Sequence, residues 1–249
     1  MFLQPQHLQQ QDRYHENALR LRTASMTPHP WGVAALAFQS SAQDQGKVAF
    51  RQIVGALEDG TVFDMPDASP LPAAVTVPED AQGQYVWLTL PERAPGAREV
   101  SSVGEEGASR YVLDYEAVID SASDGHAQHQ LDLAHPRFEL VVRSTPRPGH
   151  LCMRLARVLE VRDQKVTLDP KHVPAAIDIN AHPELAGYLG SVLGFISSKL
   201  NDLARYAEDP RSGGTITPYD FVMLQILNRE IGPLRHITMA ICARVLSRC

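Results

Sequence analysis

Hydrophobic and polar positions follow two different rhythms along this chain. From Trp31 to about Asp169 they alternate with period two, the mark of strands. Tyr111, Leu113, Tyr115, Ala117 and Ile119 fall on one side of such a segment, and Asp114, Glu116 and Asp120 on the other. This predicts a half-buried antiparallel strand. Tyr85-Val-Trp-Leu-Thr-Leu90 is apolar on both faces and so belongs more centrally in a sheet. Residues 137–143, 151–161 and 165–168 read as further strands. Turn residues separate them at Asp59-Gly60, Asp124-Gly125, Pro148-Gly149 and Asp163-Gln164. Prolines at 66, 70, 72, 78, 91 and 95 mark a loop-rich stretch with short strands. Short turns without intervening helices point to a sandwich or barrel, not a parallel sheet.

After Pro174 the spacing lengthens to three and four. A helix from Pro183 to about Ala207 carries Leu185, Leu189, Val192, Leu193, Ile196, Leu200 and Leu203 as one apolar stripe. At 1.5 Å per residue it is a rod of roughly 37 Å. Gly187, Gly190, Gly194 and Ser198 run beside the stripe. Each glycine costs about 1 kcal/mol of helix propensity, which predicts that another element packs closely there. Residues 208–214 read as a linker. Thr217-Pro218-Tyr-Asp220 then starts a second helix, with Thr217 as cap, Pro218 in the first turn and Asp220 at the positive end. Phe221, Leu224, Leu227 and Ile231 form its apolar side. Gly232-Pro233 is expected to break or kink it before a third helical stretch bearing Leu234, Ile237, Ile241 and Val245. At the other end, Pro5 to about Arg22 can be helical, with Leu8, Tyr14, Ala18 and Leu21 loosely on one side. Pro28 and Pro30 end it. The expected class is therefore mainly β plus α. A β-sandwich domain with an N-terminal helical segment fills residues 1–172, and a helical domain fills 173–249.

Composition narrows the function classes. The 249 residues suffice for one large or two ordinary domains. The net charge of −6 disfavours nucleic acid, whose binders carry a basic footprint. The longest apolar or glycine run, Trp31 to Phe38, is far short of the roughly 20 residues that span a bilayer, so no direct membrane insertion is expected. No secretory signal opens the chain. Cys152, Cys242 and Cys249 are an odd number with no short spacing, which argues against a disulfide framework or a zinc knuckle. A cytoplasmic, reduced protein is the expectation.

Candidate chemistry is thin. His126, His129, Asp132 and His135 are ligand types spaced at three. In a strand, however, residues an odd number apart point to opposite faces. Glu58-Asp59-Gly60-Thr61 places two carboxylates together but reads as a hairpin turn. Gly187-Tyr-Leu-Gly190-Ser191-Val-Leu-Gly194 lacks the glycines that a nucleophile elbow needs on either side of its serine. Cys152 sits among apolar strand residues, where inert packing is expected. No catalytic residue, cofactor site or metal site is assigned. The remaining candidates are surfaces. Met1-Phe-Leu-Gln-Pro-Gln-His7-Leu-Gln-Gln-Gln-Asp-Arg-Tyr14 is dense in amides, which donate and accept hydrogen bonds without carrying charge. Within it Phe2, Leu3, Gln4, Pro5, Gln6, His7, Gln10, Gln11, Asp12 and Tyr14 are the candidate contact residues. In heptad terms Leu185, Leu189, Val192, Ile196, Leu203 and Tyr206 occupy seam positions, with Lys199 at one of them. The stripe serves either packing within one subunit or a seam between subunits.

The opening wording closely resembles the N-terminal signature of the TssK family, also called ImpJ or VasE, the baseplate subunit of bacterial type VI secretion systems. Gln9-Gln-Gln-Asp-Arg-Tyr14-His-Glu16 continues the resemblance, as do Pro30-Trp-Gly-Val33, Gly55 to Asp64, Ala156 to Glu160, and Asp220-Phe-Val-Met-Leu-Gln-Ile-Leu-Asn-Arg229. The resemblance implies a trimeric cytoplasmic adaptor that is not an enzyme and holds no cofactor. It would have a β-rich shoulder, a helical neck where subunits associate and a C-terminal head. The shoulder would contact the wedge proteins TssF and TssG, and the head would contact the membrane-complex proteins TssL and TssM. The sequence ends before such a head could be encoded, and its last residues drift from the family pattern. Two rival readings are a phage-tail or receptor-binding-like structural protein and a metal-dependent hydrolase built on the histidines.

Overall fold

The computed structural model describes residues 4–94, 96–102, 104–105, 109–119, 128–208 and 217–246, with side chains throughout except at 206–208 and 239–246. Phe2, Leu3, Asp124-Gly125, His126 and the linker beyond Glu208 lie outside these residues, as do the side chains of Tyr206, Ile241 and Val245. The chain is mainly β, with several sheets and a few helices. It divides into two compact units, Met1–Ala181 and His182–Cys249.

The elements run α1 (Pro5–Met26), β1 (Gly32–Phe38), a one-turn helix α2 (Ser40–Gln43), β2 (Lys47–Val48), β3 (Phe50–Ala56), β4 (Val62–Met65), β5 (Val75–Thr76), β6 (Tyr85–Pro91), β7 (Val100–Ser102), β8 (Tyr111–Ile119), β9 (Gln128–Pro136), β10 (Glu139–Arg143), β11 (His150–Arg162) and β12 (Lys165–Leu168). A short 3₁₀ turn (Ile179–Ala181) then precedes α3 (Pro183–Glu208) and α4 (Pro218–Leu246). Four sheets form, ordered β1-β3-β4, β10-β6-β11-β12, β2-β5 and β7-β8-β9.

The core of the first unit joins the inner faces of the two larger body sheets. Val33, Phe50, Ile53, Phe63 and Met65 from one, and Val86, Leu88, Leu90, Leu140, Met153, Leu155, Val158 and Val166 from the other, make a single buried cluster. β6 lies between β10 and β11, as its two apolar faces predicted. Two glycines let backbones approach. Gly32 has φ +134°, and a Cβ there would meet the Ala175 and Ala176 backbone at 2.9 Å. That contact lets Val33 donate to Ala175 O at 2.8 Å and accept from Ile177 N at 3.0 Å, so the 175–177 segment edges β1. A Cβ at Gly55 would collide with Gly32 O and the Phe63 ring.

The Asp59-Gly60 hairpin forms between β3 and β4, with Gly60 at φ +87° and Asp59 Oδ1 accepting the Thr61 N–H at 2.9 Å. Asp163 and Gln164 turn β11 into β12 with φ of 49° and 61°. Three expectations fail. β8 is not half-buried along its length, because beyond Leu113 both faces are exposed, including Tyr115 and Ile119. Its partner β9 is equally open, so among the described residues no second layer covers this two-stranded ribbon. The sheet reading also missed that β7 runs parallel to β8. Finally, of the break or kink expected at Gly232-Pro233, the break does not occur, since α4 continues through both residues. Pro233 forfeits one backbone bond, and the apolar positions on either side, including buried Ile231, keep the helix in one piece.

In the second unit α3 packs along α4. Thr217 caps α4: its hydroxyl accepts the Asp220 N–H at 3.2 Å, while Asp220 Oδ2 accepts from the Thr217 N–H at 3.0 Å and its Oγ1 at 2.7 Å. These bonds hold the Asp220 carboxyl below its ordinary pKa.

Candidate interaction surfaces

The amide-rich opening forms the first turns of α1. Gln4 is extended (φ −113°, ψ 153°), and Pro5 sits at the first helical position with its missing N–H costing nothing. The Gln4 N–H donates to His7 Nδ1 at 3.1 Å, so the neutral imidazole carries its proton on Nε2. At the far end Thr27 is extended and stops the helix before Pro28. Of the predicted contact residues, Gln4, Pro5, Gln6, His7, Gln10, Gln11, Asp12 and Tyr14 are all exposed. Phe2 and Leu3 fall outside the described residues.

No residue of α1 is buried. The helix meets its own domain through charge. Arg13 Nη2 lies 3.3 Å from Glu99 Oε1, and Glu16 Oε2 lies 2.8 Å from Arg93 Nη1. Arg93 also donates to the Tyr111 hydroxyl at 2.9 Å. The Glu16 carboxylate, with Tyr111, raises the Arg93 pKa further above its ordinary value, against the pull of partial burial. The alkyl chain of Arg20 passes over Gly60. Arg13, Glu16 and Arg20 recur at three- and four-residue steps, so the face turned to the sheets is the polar one. The apolar residues fall elsewhere and stay open: Tyr14 is 71% exposed, Leu19 62% and Met26 84%. This inverts the usual arrangement of a surface helix, whose apolar stripe faces the core. Sequence reasoning missed Arg93, Glu99 and Tyr111, because nothing local to those residues signals that a helix some 80–100 positions earlier lies over them.

The cleft between α1 and the sheets is lined by Gln9, Asp12, Arg13, Glu16, Arg93, Ala97, Arg98, Glu99, Val100, Tyr111 and Ala134. This lining holds no serine, cysteine or histidine, and Glu16 and Glu99 are each engaged by an arginine. The histidines of β9 are dispersed. His129 stands opposite Val118 and His135 opposite Val112 on one face of the ribbon, whereas Asp132 stands opposite Tyr115 on the other. His135 Nε2 pairs with Glu116 Oε1 at 2.7 Å and is half-buried rather than exposed. Among the described residues no group of three His, Cys, Asp or Glu side chains could hold a metal ion. Burial pushes the Cys152 thiol above its ordinary pKa, and its Sγ faces the carbonyls of His150 and Arg147.

The seam candidates of α3 divide. Leu203 is buried within the chain, and Leu185, Leu189 and Ile196 are half-buried, whereas Val192 is exposed. Tyr188 and Phe195 flank Val192 on the outward side, Phe195 at 77% exposure. On α4, Tyr219, Phe221, Val222 and Ile226 are also open. The glycine row is open too: a Cβ at Gly187, Gly190 or Gly194 would meet nothing within 4 Å. The close-packing element expected there is not part of the described chain. Among the described residues no helix is long and apolar enough to cross a membrane.

Comparison with known proteins gives these surfaces a context. The family described as bacterial type VI secretion, VC_A0110, EvfL, ImpJ, VasE matches residues 7–243. The type VI secretion system baseplate component TssK1 of Pseudomonas aeruginosa is 33% identical over 240 residues, covering 96% of this chain and 54% of that protein. A crystal structure of TssK superposes with a TM-score of 0.83 at 26% identity, covering 95% of this chain and 54% of that one. TssK in a TssK-TssF-TssG baseplate subcomplex shares the fold, with a TM-score of 0.84 at 20% identity, covering 95% and 76%. The chain thus spans about half the length of the curated relative it matches. The matched stretch takes in the sheet body, nearly all of an α1 that turns polar residues inward and nearly all of the two long helices, and the chain belongs to the TssK (ImpJ/VasE) family of bacterial type VI secretion.

Proposed function

We propose that this chain acts as a structural adaptor of a type VI secretion baseplate and is not an enzyme. Its β-rich unit is the shoulder, arranged as a sandwich, and α3 with α4 belongs to the neck. The N-terminal segment from Phe2 to Tyr14 docks on the wedge proteins TssF and TssG. The open rows of α3 and α4 meet other copies of the chain in a cytoplasmic homotrimer. The whole adaptor links the wedge to the membrane-complex proteins TssL and TssM.

The observation that carries this reading is the inverted α1. A helix of 22 residues with none buried cannot owe its place to its own core. Its apolar side chains and amides remain available to another protein, and the relative's description as a baseplate component supplies the class of partner. The test is capture of purified TssF and TssG by the tagged chain. Replacing Gln4, Gln6, His7 and Gln10 with alanine should weaken capture while leaving the melting of the β unit unchanged, since all four are exposed. Capture at the unmodified level would remove α1 from the interface.

A further inference from the structure

The outer face of the β10-β6-β11-β12 sheet carries three arginines gathered around two aromatic rings. Tyr85 and Trp87 lie two residues apart on β6 and share that face, opposite the core residues Val86, Leu88 and Leu90. Arg154 of β11 stands opposite Trp87, and Arg157 stands opposite Tyr85. Residues three apart on a regular strand face opposite ways. The bulge between Arg154 and Ala156 inserts one residue and brings both arginines outward, while Leu155 and Ala156 stay in the core. On the other side of β6, Arg143 of β10 also stands opposite Tyr85. β10 and β11 thus present three exposed arginines around the two aromatic rings of β6, which lies between them.

The central arginine lies over both rings. The Arg154 guanidinium carbon lies 5.1 Å from the Tyr85 ring centroid and 5.4 Å from that of Trp87. Trp87 is itself fixed by donation from Nε1 to Arg143 O at 3.0 Å. A guanidinium attracted to aromatic rings keeps N–H donors with which to grip a carboxylate through two bonds. Among the described residues Arg157 has a single, long ion pair, 3.8 Å to Asp169. Arg143 and Arg154 have none among the described residues. This set sits on a chain of net charge −6. Leu159, 47% exposed two residues past Arg157, adds an apolar contact.

We infer that the Arg143–Arg154–Arg157 cluster around Tyr85 and Trp87 is a second docking surface, and that it takes an acidic, Asp/Glu-rich segment of a partner protein. Charge complementarity selects this occupant, and the stacked arginine favours a carboxylate that can be bound through two parallel hydrogen bonds. A nucleic acid would need a longer basic track than three arginines on an acidic chain. The surface is separate from α1 and stands whether or not α1 binds wedge proteins.

Fluorescence anisotropy of a labelled oligoglutamate peptide with the full chain tests this. The peptide should bind in low salt and weaken as salt rises, and an oligolysine of equal length should not bind. Arg154→Ala should weaken binding about tenfold, the scale of a lost charge-assisted contact. Arg154→Lys, which keeps charge but not the fork, should fall between. Arg229→Ala, on α4 where Arg229 pairs with Glu230, should change nothing. If Arg154→Ala fails to fold, the exposed Arg143→Glu carries the same expectation. Unaltered affinity in the folded Arg154 or Arg143 variant overturns the assignment. So does tighter binding of single-stranded DNA than of oligoglutamate.

Discussion

Removing the carboxylate of Asp59 is the most demanding test of how the β unit is held together. Arg110, at the start of β8, is 2% exposed, so its charge is almost fully withdrawn from water. Its Nη2 donates to Asp59 Oδ2 and to Thr61 Oγ1, each at 2.6 Å, and its Nη1 donates to Pro91 O at 2.9 Å. One guanidinium therefore ties the β3–β4 turn, the end of β6 and the root of the β8–β9 ribbon. Asp59→Ala leaves that cation buried without its counter-ion, at a cost of about 3–5 kcal/mol. Arg110→Met leaves an aspartate that is a third exposed and can hydrate, at a smaller cost of about 1–3 kcal/mol. The double variant should fall short of additivity by about 1–3 kcal/mol. Urea unfolding followed by tryptophan fluorescence reads this directly, since Trp31 and Trp87 both lie in the β unit. The pH dependence gives a second check. Burial pulls the Asp59 pKa up, but hydrogen bonds from Thr61 and the charge of Arg110 outweigh it and set the pKa below its ordinary 3.8. A lowered folded pKa means that the contribution is fully present above the unfolded value. It disappears as pH falls from 3.8 through the folded pKa. Asp59→Asn should lack that acid-side loss. An Asp59→Ala cost under about 1 kcal/mol, or single costs that simply add, would refute the idea that this pair is a buried clamp.

Other outcomes follow from burial and exposure. Leu155→Ala, at a side chain 1% exposed in the shared core, should cost about 2–5 kcal/mol in the same urea assay. The joint change Arg13→Ala and Arg93→Ala breaks two solvent-exposed ion pairs worth about 0.2–1 kcal/mol each, so the unfolding midpoint of the β unit should barely move. Amide exchange should nevertheless quicken along α1. Glutamate at Leu189 and Ile196 should convert an assembly of copies into monomers by native mass measurement, because buried carboxylates without partners are costly. A monomer before mutation would remove the seam reading.

The strands that the sequence announced correctly are those whose signals are local. β6 declared its central place by being apolar on both faces, and β11 and β12 were bounded by an Asp-Gln turn whose two residues adopt positive φ. The half-buried reading of β8 failed because alternation records which side can be covered, not whether a second layer reaches it. Tyr111 to Leu113 lie next to β7 and are partly covered, whereas Tyr115 to Ile119 extend past the end of β7. Arg110 escaped notice for a related reason. An arginine before a strand reads as a surface residue, and only the approach of Asp59, Thr61 and Pro91, 51, 49 and 19 positions away, makes it a buried tie. At Gly232-Pro233 a break or a kink was expected, and the break does not occur, because the apolar positions on either side carry α4 past one missing backbone bond.

The surfaces show where such reading reaches its limit. The apolar stripe of α3 was visible from its spacing, but its residues divide between the chain's own α3–α4 contact, where Leu203 is buried, and open water, where Val192 stands. Spacing fixes a face, whereas allotment of that face needs the second helix. For α1 the ambiguity is deeper, because both sides of the helix have a use. Arg13 and Glu16 find partners in Glu99 and Arg93, which lie far along the chain, so the polar side turns inward by charge pairing. The weakly apolar remainder is then left outside. A periodicity argument alone would have turned the loose apolar side of Leu8, Tyr14, Ala18 and Leu21 toward the sheets, and an α1 so oriented would have less apolar surface to offer a partner. The orientation of this helix therefore rests on a few exposed ion pairs, each worth little. A competing protein surface that covers Tyr14 and Leu19 at about 1.5–3 kcal/mol per large side chain can outbid them.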